Sequence, residues 1–180
     1  TYQVVGVIDD ANYQDSTSDS YTLTIHQASA TIALDDLNQT YDGKPQPVSV
    51  ATTPSGLTVV ITYIGINGTV YEPSETTPTN AGTYQVVGVI DDANYQGTIS
   101  DTLMIAKADT TTTLAISEAT PDMGNSMYLT ATVVSNAPGA LPPSGVVTFT
   151  NGGAALCSNV PLAASGQAVC VITATMTPGT

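Results

Sequence analysis

The 180-residue sequence predicts an all-β chain, built as tandem small β domains in an elongated row. Three observations predict this. Nine Tyr, one Phe and no Trp stand beside abundant Val, Ile and Thr, the residues that fit a pleated surface, while Leu, Glu, Lys and Arg are scarce. No helical period of convincing length appears anywhere in the chain. Finally, Thr1–Gln14, TYQVVGVIDDANYQ, recurs letter for letter at Thr83–Gln96.

The duplication sets the domain organisation. Its offset is 82 residues, and the likeness continues beyond the identical block: Thr22-Leu23-Thr24-Ile25 matches Thr102-Leu103-Met104-Ile105 after a two-residue slip. A period of that length exceeds the ~20–50 residues of a solenoid turn and suits a self-contained domain with its own core. Residues 1–27 are therefore expected to be the C-terminal remnant of one repeat and 28–107 a complete copy. From Asp109 the sequence changes character, so 108–180 is a different domain, expected to be truncated at its C-terminal end.

Within the complete copy, Ala30–Leu34 alternates small or polar residues with apolar ones and reads as a strand. Tyr41-Asp42-Gly43 reads as a turn, and Pro45 and Pro47 restrict the next stretch to an edge or a strand start. Val48 and Val50 are expected to share a face. Pro54-Ser55-Gly56 is a turn, and Leu57–Ile64 is a β-branched strand. Asn67-Gly68 marks a hairpin, because a type I′ turn needs positive φ at both central positions. The polar stretch from Pro73 to Pro78 is a loop. In the strand after it, Tyr84, Val86 and Ile90 alternate with Gln85, Val87 and Val89, which predicts two largely apolar faces. Ile99–Ile105 finishes the unit. The third unit reads as strands at Thr111–Ile116, Tyr128–Val134, Val146–Thr150, Ala154–Pro161 and Ala168–Ala174, spaced as in a small β sandwich.

Between Ile25 and Ile32, and between Ile105 and Leu114, no Pro- or Gly-rich spacer intervenes, so short joints are expected to limit hinge motion. Charge narrows the partners. Lys44 and Lys107 are the only basic side chains against 15 acidic ones, for a formal net charge of −13. Nucleic-acid binding draws its affinity from Lys and Arg neutralising phosphates, and anionic headgroups are repelled by the same field. Neither nucleic acid nor a membrane surface is an expected partner, and no run of 18 apolar residues is present for insertion.

The ordered set Tyr41-Asp42-Gly43, Thr62-Tyr63, Pro78–Tyr84, Asn94-Tyr95-Gln96-Gly97 and Thr102–Ile105 resembles the MBG (mostly β-grasp) repeat of bacterial surface proteins. It covers 28–107 in one piece and 1–27 as a remnant. Thr110–Leu114, Gly145–Thr150 and the pair Cys157 and Cys170 with Gly166 between them resemble a bacterial immunoglobulin-like repeat of group 3. The resemblance implies a β-grasp-like fold for the repeat and an Ig-like β-sandwich for the third unit, in stalk, adhesin or exoprotein architecture on the bacterial surface or secreted. It implies no catalytic residues.

Cys157 and Cys170 lie on consecutive strands, and pairing about the Ala163–Gly166 turn would set them opposite each other within disulfide reach. The alternative is a pair of reduced, buried cysteines in a cytosolic protein. The best polar constellation is Asp91, Asp92, Asn94 with Tyr95, and its twin Asp9, Asp10, Asn12 with Tyr13. Oxygen ligands clustered in a loop can hold Ca²⁺, which needs six to eight of them. The competing account is a turn in which Asp and Asn cap their own backbone. No other cofactor is implied.

His26 lacks a nucleophile in any recognisable context, and Ala106 occupies its place in the other copy. The acidic pairs Asp35-Asp36 and Glu72…Glu75 read as solvated surface, since neighbours along a strand point to opposite faces. An isopeptide crosslink from Lys44 or Lys107 would need a buried Lys, which is rare. Asn38-Gln39-Thr40 and Asn67-Gly68-Thr69 match the glycosylation pattern, the second already explained by its turn. The function expected is a non-enzymatic structural stalk, with adjacent repeats as partners. A module gripping a glycan or host protein is the alternative, with Tyr63, Tyr71 and Tyr95 as sugar-stacking faces.

Overall fold

A computed structural model describes residues 1–14, 20–120, 122, 124–137 and 142–173. Among them every regular element is a strand, fifteen in all, arranged in small separate sheets. The chain is all-β.

The first repeat contributes a two-stranded antiparallel sheet, β1 (Tyr2–Val5) and β2 (Ser20–Leu23), with Tyr2 opposite Leu23 and Val4 opposite Tyr21. The second repeat is entered through a two-residue strand, β3 (Ala28–Ser29), followed by β4 (Thr31–Asp35) and β5 (Asn38–Thr40). β4 alternates as its sequence suggests, with Ile32 and Leu34 buried between exposed neighbours.

β6 (Ser49–Thr53) pairs antiparallel with β4. Val48 and Val50 do not share an environment: Val48 is buried ahead of the strand, whereas Val50 is exposed within it. The Asn67-Gly68 turn follows β7 (Val59–Ile66). Both residues have positive φ, 53° and 87°, and the Thr69 amide donates to the Ile66 carbonyl at 3.0 Å. The returning arm is not a strand; it is tied to β7 through a Tyr63–Ser74 bridge and the Gly65-to-Tyr71 hydrogen bond. Gly65 permits that approach, because a Cβ there would lie 2.3 Å from the Thr69 carbonyl oxygen.

The long strands β8 (Gly82–Ile90) and β10 (Thr98–Ala106), with the short β9 (Tyr95–Gln96) between them, complete the repeat. The main sheet has the order β5-β10-β8-β7, antiparallel except for the parallel β5–β10 pair. One face of β8 is buried, through Tyr84, Val86, Gly88 and Ile90, while Gln85 and Val89 face solvent. Of the two largely apolar faces expected for this strand, only one is packed into the core, the side on which Ile32 and Leu34 of β4 join it. Ile32 and Leu34 from β4 join Val48, Tyr63, Tyr84, Val86, Ile90, Leu103 and Ile105 in a single core.

The two copies of the identical block form the same hairpin. β1 and β2 repeat the register of β8 and β10, since Leu23 faces Tyr2 as Leu103 faces Tyr84. In the second copy Tyr84, Val86 and Leu103 are 2%, 0% and 0% exposed, beneath the layer to which Ile32 and Leu34 of β4 belong.

The third unit has β11 (Thr110–Ile116), β12 (Ser126–Ser135), β13 (Val146–Asn151), β14 (Ala154–Pro161) and β15 (Gln167–Thr173). These form a three-stranded antiparallel sheet, β11-β12-β15, and a β13–β14 hairpin bulged at Phe149. The hairpin turns at Gly152-Gly153, both with positive φ. Leu129, Ala131, Phe149, Ala168 and Cys170 make a second core, separate from that of the repeat. Leu114 and Ile116 lie on the same sheet face as Ala131 and Leu129 by register, and remain more than half exposed.

Candidate functional site

Cys157 and Cys170 form a disulfide with Cα atoms 5.9 Å apart. The reason differs from the one expected. β14 and β15 are not paired: β14 pairs with β13, and β15 with β12. Cys157 stands opposite Phe149 in the hairpin and Cys170 opposite Leu129 in the larger sheet, so the bond joins two sheets rather than the arms of one hairpin. Which sheet a strand joins is decided by distant partners, and a turn between two strands does not require them to pair.

The acidic runs are built as self-capped turns. Asp92 Oδ1 accepts the amides of Asn94 (2.7 Å) and Tyr95 (3.0 Å), and Asp10 Oδ1 accepts those of Asn12 (2.7 Å) and Tyr13 (3.1 Å). A short carboxylate that loops back two residues is the ordinary geometry of an Asx turn. It occupies one oxygen that a cation would need. Among the described residues, no group of three or more His, Cys, Asp or Glu side chains is placed to hold a metal ion.

The tyrosines proposed as stacking faces are placed otherwise. Tyr63 is 3% exposed inside the repeat core, where its hydroxyl accepts the Val48 amide at 3.5 Å. Tyr71 and Tyr95 are half-buried and pack against that core. Tyr71 meets Tyr84 edge to face, with ring centroids 5.5 Å apart, and donates its hydroxyl to the Thr76 carbonyl. The Tyr84 hydroxyl donates to the Asn80 carbonyl, and burial, with Tyr71 beside it, raises its pKa above the ordinary tyrosine value. The exposed tyrosines are others: Tyr2, Tyr13 and Tyr21 on the first repeat, and Tyr128 on the third unit. Nothing in the local sequence distinguishes Tyr63 from Tyr21, because both follow Thr or Ser in β-rich surroundings.

His26, Lys44 and Lys107 are exposed, as are Asp35, Asp36, Glu72 and Glu75. Asp36 sits at φ 59° and accepts the Ser49 hydroxyl, which ties the β4 end to the start of β6. A buried polar residue that the sequence reading missed is Gln46. Its side chain donates to Asp42 Oδ1 and the Lys44 carbonyl, and its backbone amide to the Pro78 carbonyl at 2.9 Å, closing the Tyr41–Pro47 loop. The signal lay in its setting between Pro45 and Pro47, where a polar side chain must find partners once its neighbours cannot donate.

These features describe small β modules with internal hydrogen-bond closure, repeated along one chain. The MBG domain family model matches residues 1–29 and 30–109, and the chain belongs to that family. No curated protein matches the chain. The family is that of a repeat module of surface proteins.

Proposed function

We propose that this chain is a run of non-catalytic spacer repeats of a bacterial cell-surface or secreted adhesin-like protein, working outside the cell. The observation that carries the reading is the duplication itself: one domain multiplied, with β2 leading to β3 and β10 to β11 through joints of a few residues. Multiplying a domain with no spacer adds length, and length places something else at a distance. The disulfide in the third unit agrees with an oxidising compartment. Two facing antiparallel sheets with a bridge between them agree with an immunoglobulin-like domain of group 3. The surface is acidic overall, which favours protein or neutral glycan neighbours over nucleic acid.

The binding-module reading has less support, because Tyr63 belongs to the core and Tyr71 and Tyr95 are committed to packing. Small-angle scattering tests the spacer reading. A compact 180-residue domain has a radius of gyration of about 16 Å. A spacer predicts a value well above that, and a value near 16 Å at infinite dilution sinks the proposal.

A further inference from the structure

The segment joining the two repeats is held by the Asp-Asp-Ala-Asn-Tyr-Gln turn of the second one. Gln27 Nε2 donates to the Asp92 carbonyl at 2.7 Å, and the Ala28 amide to the Asn94 carbonyl at 2.7 Å. The Ala30 amide donates to the Gln96 carbonyl at 2.9 Å. Ala28 and Ser29 thereby pair in parallel with Tyr95 and Gln96. The turn is preshaped for this. Asp92 Oδ1 takes the Asn94 and Tyr95 amides inward, so three carbonyls at alternate positions are left to accept from an incoming extended segment. Gly97 leaves the room, because a Cβ there would fall 2.3 Å from the Ala30 carbonyl oxygen.

Of the captured residues, Gln27, Ala28 and Ser29 belong to the neighbour. The MBG match for the first repeat runs through residue 29, and Gln27-Ala28-Ser29 aligns with Lys107-Ala108-Asp109 at the tail of the second repeat. The Asp-Asp-Ala-Asn-Tyr-Gln sequence does not recur in the third unit, where the Asn136 amide donates to the Asp109 carbonyl.

We propose that the 91–97 turn is an inter-repeat socket: a strand-addition surface whose partner is the extended tail of the preceding repeat, read through Gln27 and Ala28, with Ala30 continuing the pairing into the second repeat. Main-chain pairing gives the attachment, as in other strand-addition contacts, and the Gln27 side chain adds a contact beyond the backbone. The socket converts a short linker into a fixed joint. This deepens the spacer reading and rests on it only for its purpose, since a clamped joint is a local property that overall length does not reveal.

Residue-resolved amide exchange on the full chain tests it, comparing the natural protein with Gly97→Ala and with Ala28→Pro. Gly97→Ala wedges the socket but also presses Ile90, whose Cδ1 lies 3.0 Å from the added carbon, so Ala28→Pro removes a donor without touching the core. The natural protein should protect the Ala28 and Ala30 amides. Each variant should lose at least about tenfold protection at Ala30 while Val86 and Leu103 keep theirs. Unprotected linker amides in the natural chain, or no change in either variant, overturn the socket. Equal loss at Val86 and Leu103 in the Ala28→Pro variant also overturns it, by making 28–30 an edge strand of the second repeat's own core.

Discussion

Leu103 and Met104 are neighbours on β10 with side chains on opposite faces of the sheet, so they offer a matched pair of substitutions. Leu103 is fully buried in a core with Tyr84, Val86 and Ile105, whereas Met104 is half exposed on the other face. Leu103→Ala removes buried atoms and leaves a cavity, which costs about 2–5 kcal/mol in a well-packed core. The repeat spans 80 residues, from 30 to 109, and domains of that size hold about 4–12 kcal/mol of stability at ~0.05–0.15 kcal/mol per residue. The substitution therefore removes a large share of what the repeat has. With a urea slope of about 1–3 kcal/mol/M, its midpoint falls on the order of 1–3 M. Met104→Ala, away from the core, stays within about 0.5 kcal/mol. Because separate units need not unfold together, the assay is amide exchange against urea, read at Val86 for the second repeat. Equal costs for the two substitutions, or a cost below about 1 kcal/mol for Leu103→Ala, would refute the claim that the layer packed on one face of the sheet, and not apolar character alone, sets what a side chain contributes.

Other consequences can be checked alongside it. Replacing both cysteines, Cys157→Ala with Cys170→Ala, opens a loop with a sequence separation of 13 and costs about 3 kcal/mol in the chain-entropy model, lowering the third unit's Tm by roughly 12–24 °C. Since the bond joins two sheets, exchange should rise most between the β13–β14 hairpin and β15; a loss confined to the 163–166 turn contradicts the inter-sheet assignment. Gly68→Ala should cost about 1–2 kcal/mol through its φ of 87° alone, as nothing lies within 4 Å of the added carbon. Urea melts in which Gly68→Ala is neutral would remove the type I′ reading of that turn. Tyr84 has a folded pKa raised above 10.0, so the folded state keeps a proton that the unfolded chain gives up; its stabilising contribution is full below pH ~10 and is lost as pH rises through the folded value. Ultraviolet titration should show one phenol ionising late, and a Tyr84→Phe variant should lack that step. Millimolar Ca²⁺ should leave the melting temperature unchanged, because Asp92 and Asp10 already cap their own turns; a rise of several degrees would restore the metal reading.

Much of the fold can be read from local chemistry. β7 and β10 show themselves by β-branched and alternating residues, and Asn67-Gly68 by its demand for positive φ. The two acidic runs likewise announce a turn, since Asp two residues before an amide caps it wherever it stands. The candidate stacking tyrosines were not legible. Tyr63 is buried because Ile32 and Leu34 of β4 and Tyr84, Val86 and Ile90 of β8 join it in one core, and those residues lie 21 to 31 positions away along the chain. The parallel β5–β10 and β3–β9 pairs join segments more than sixty residues apart, for which no periodicity within either segment is a signal.

The sequence by itself determined the β class, the duplication, the scarcity of cations and the pair of cysteines able to bond, because each is a property of composition, spacing or short-range sterics. Only the tertiary structure decided that Tyr63 and Tyr84 enter the repeat core, and which sheets the Cys157–Cys170 bond ties together. The physical reason is the same in both cases. Burial and sheet membership are conferred by partner strands far along the chain, which leave no mark in the local sequence.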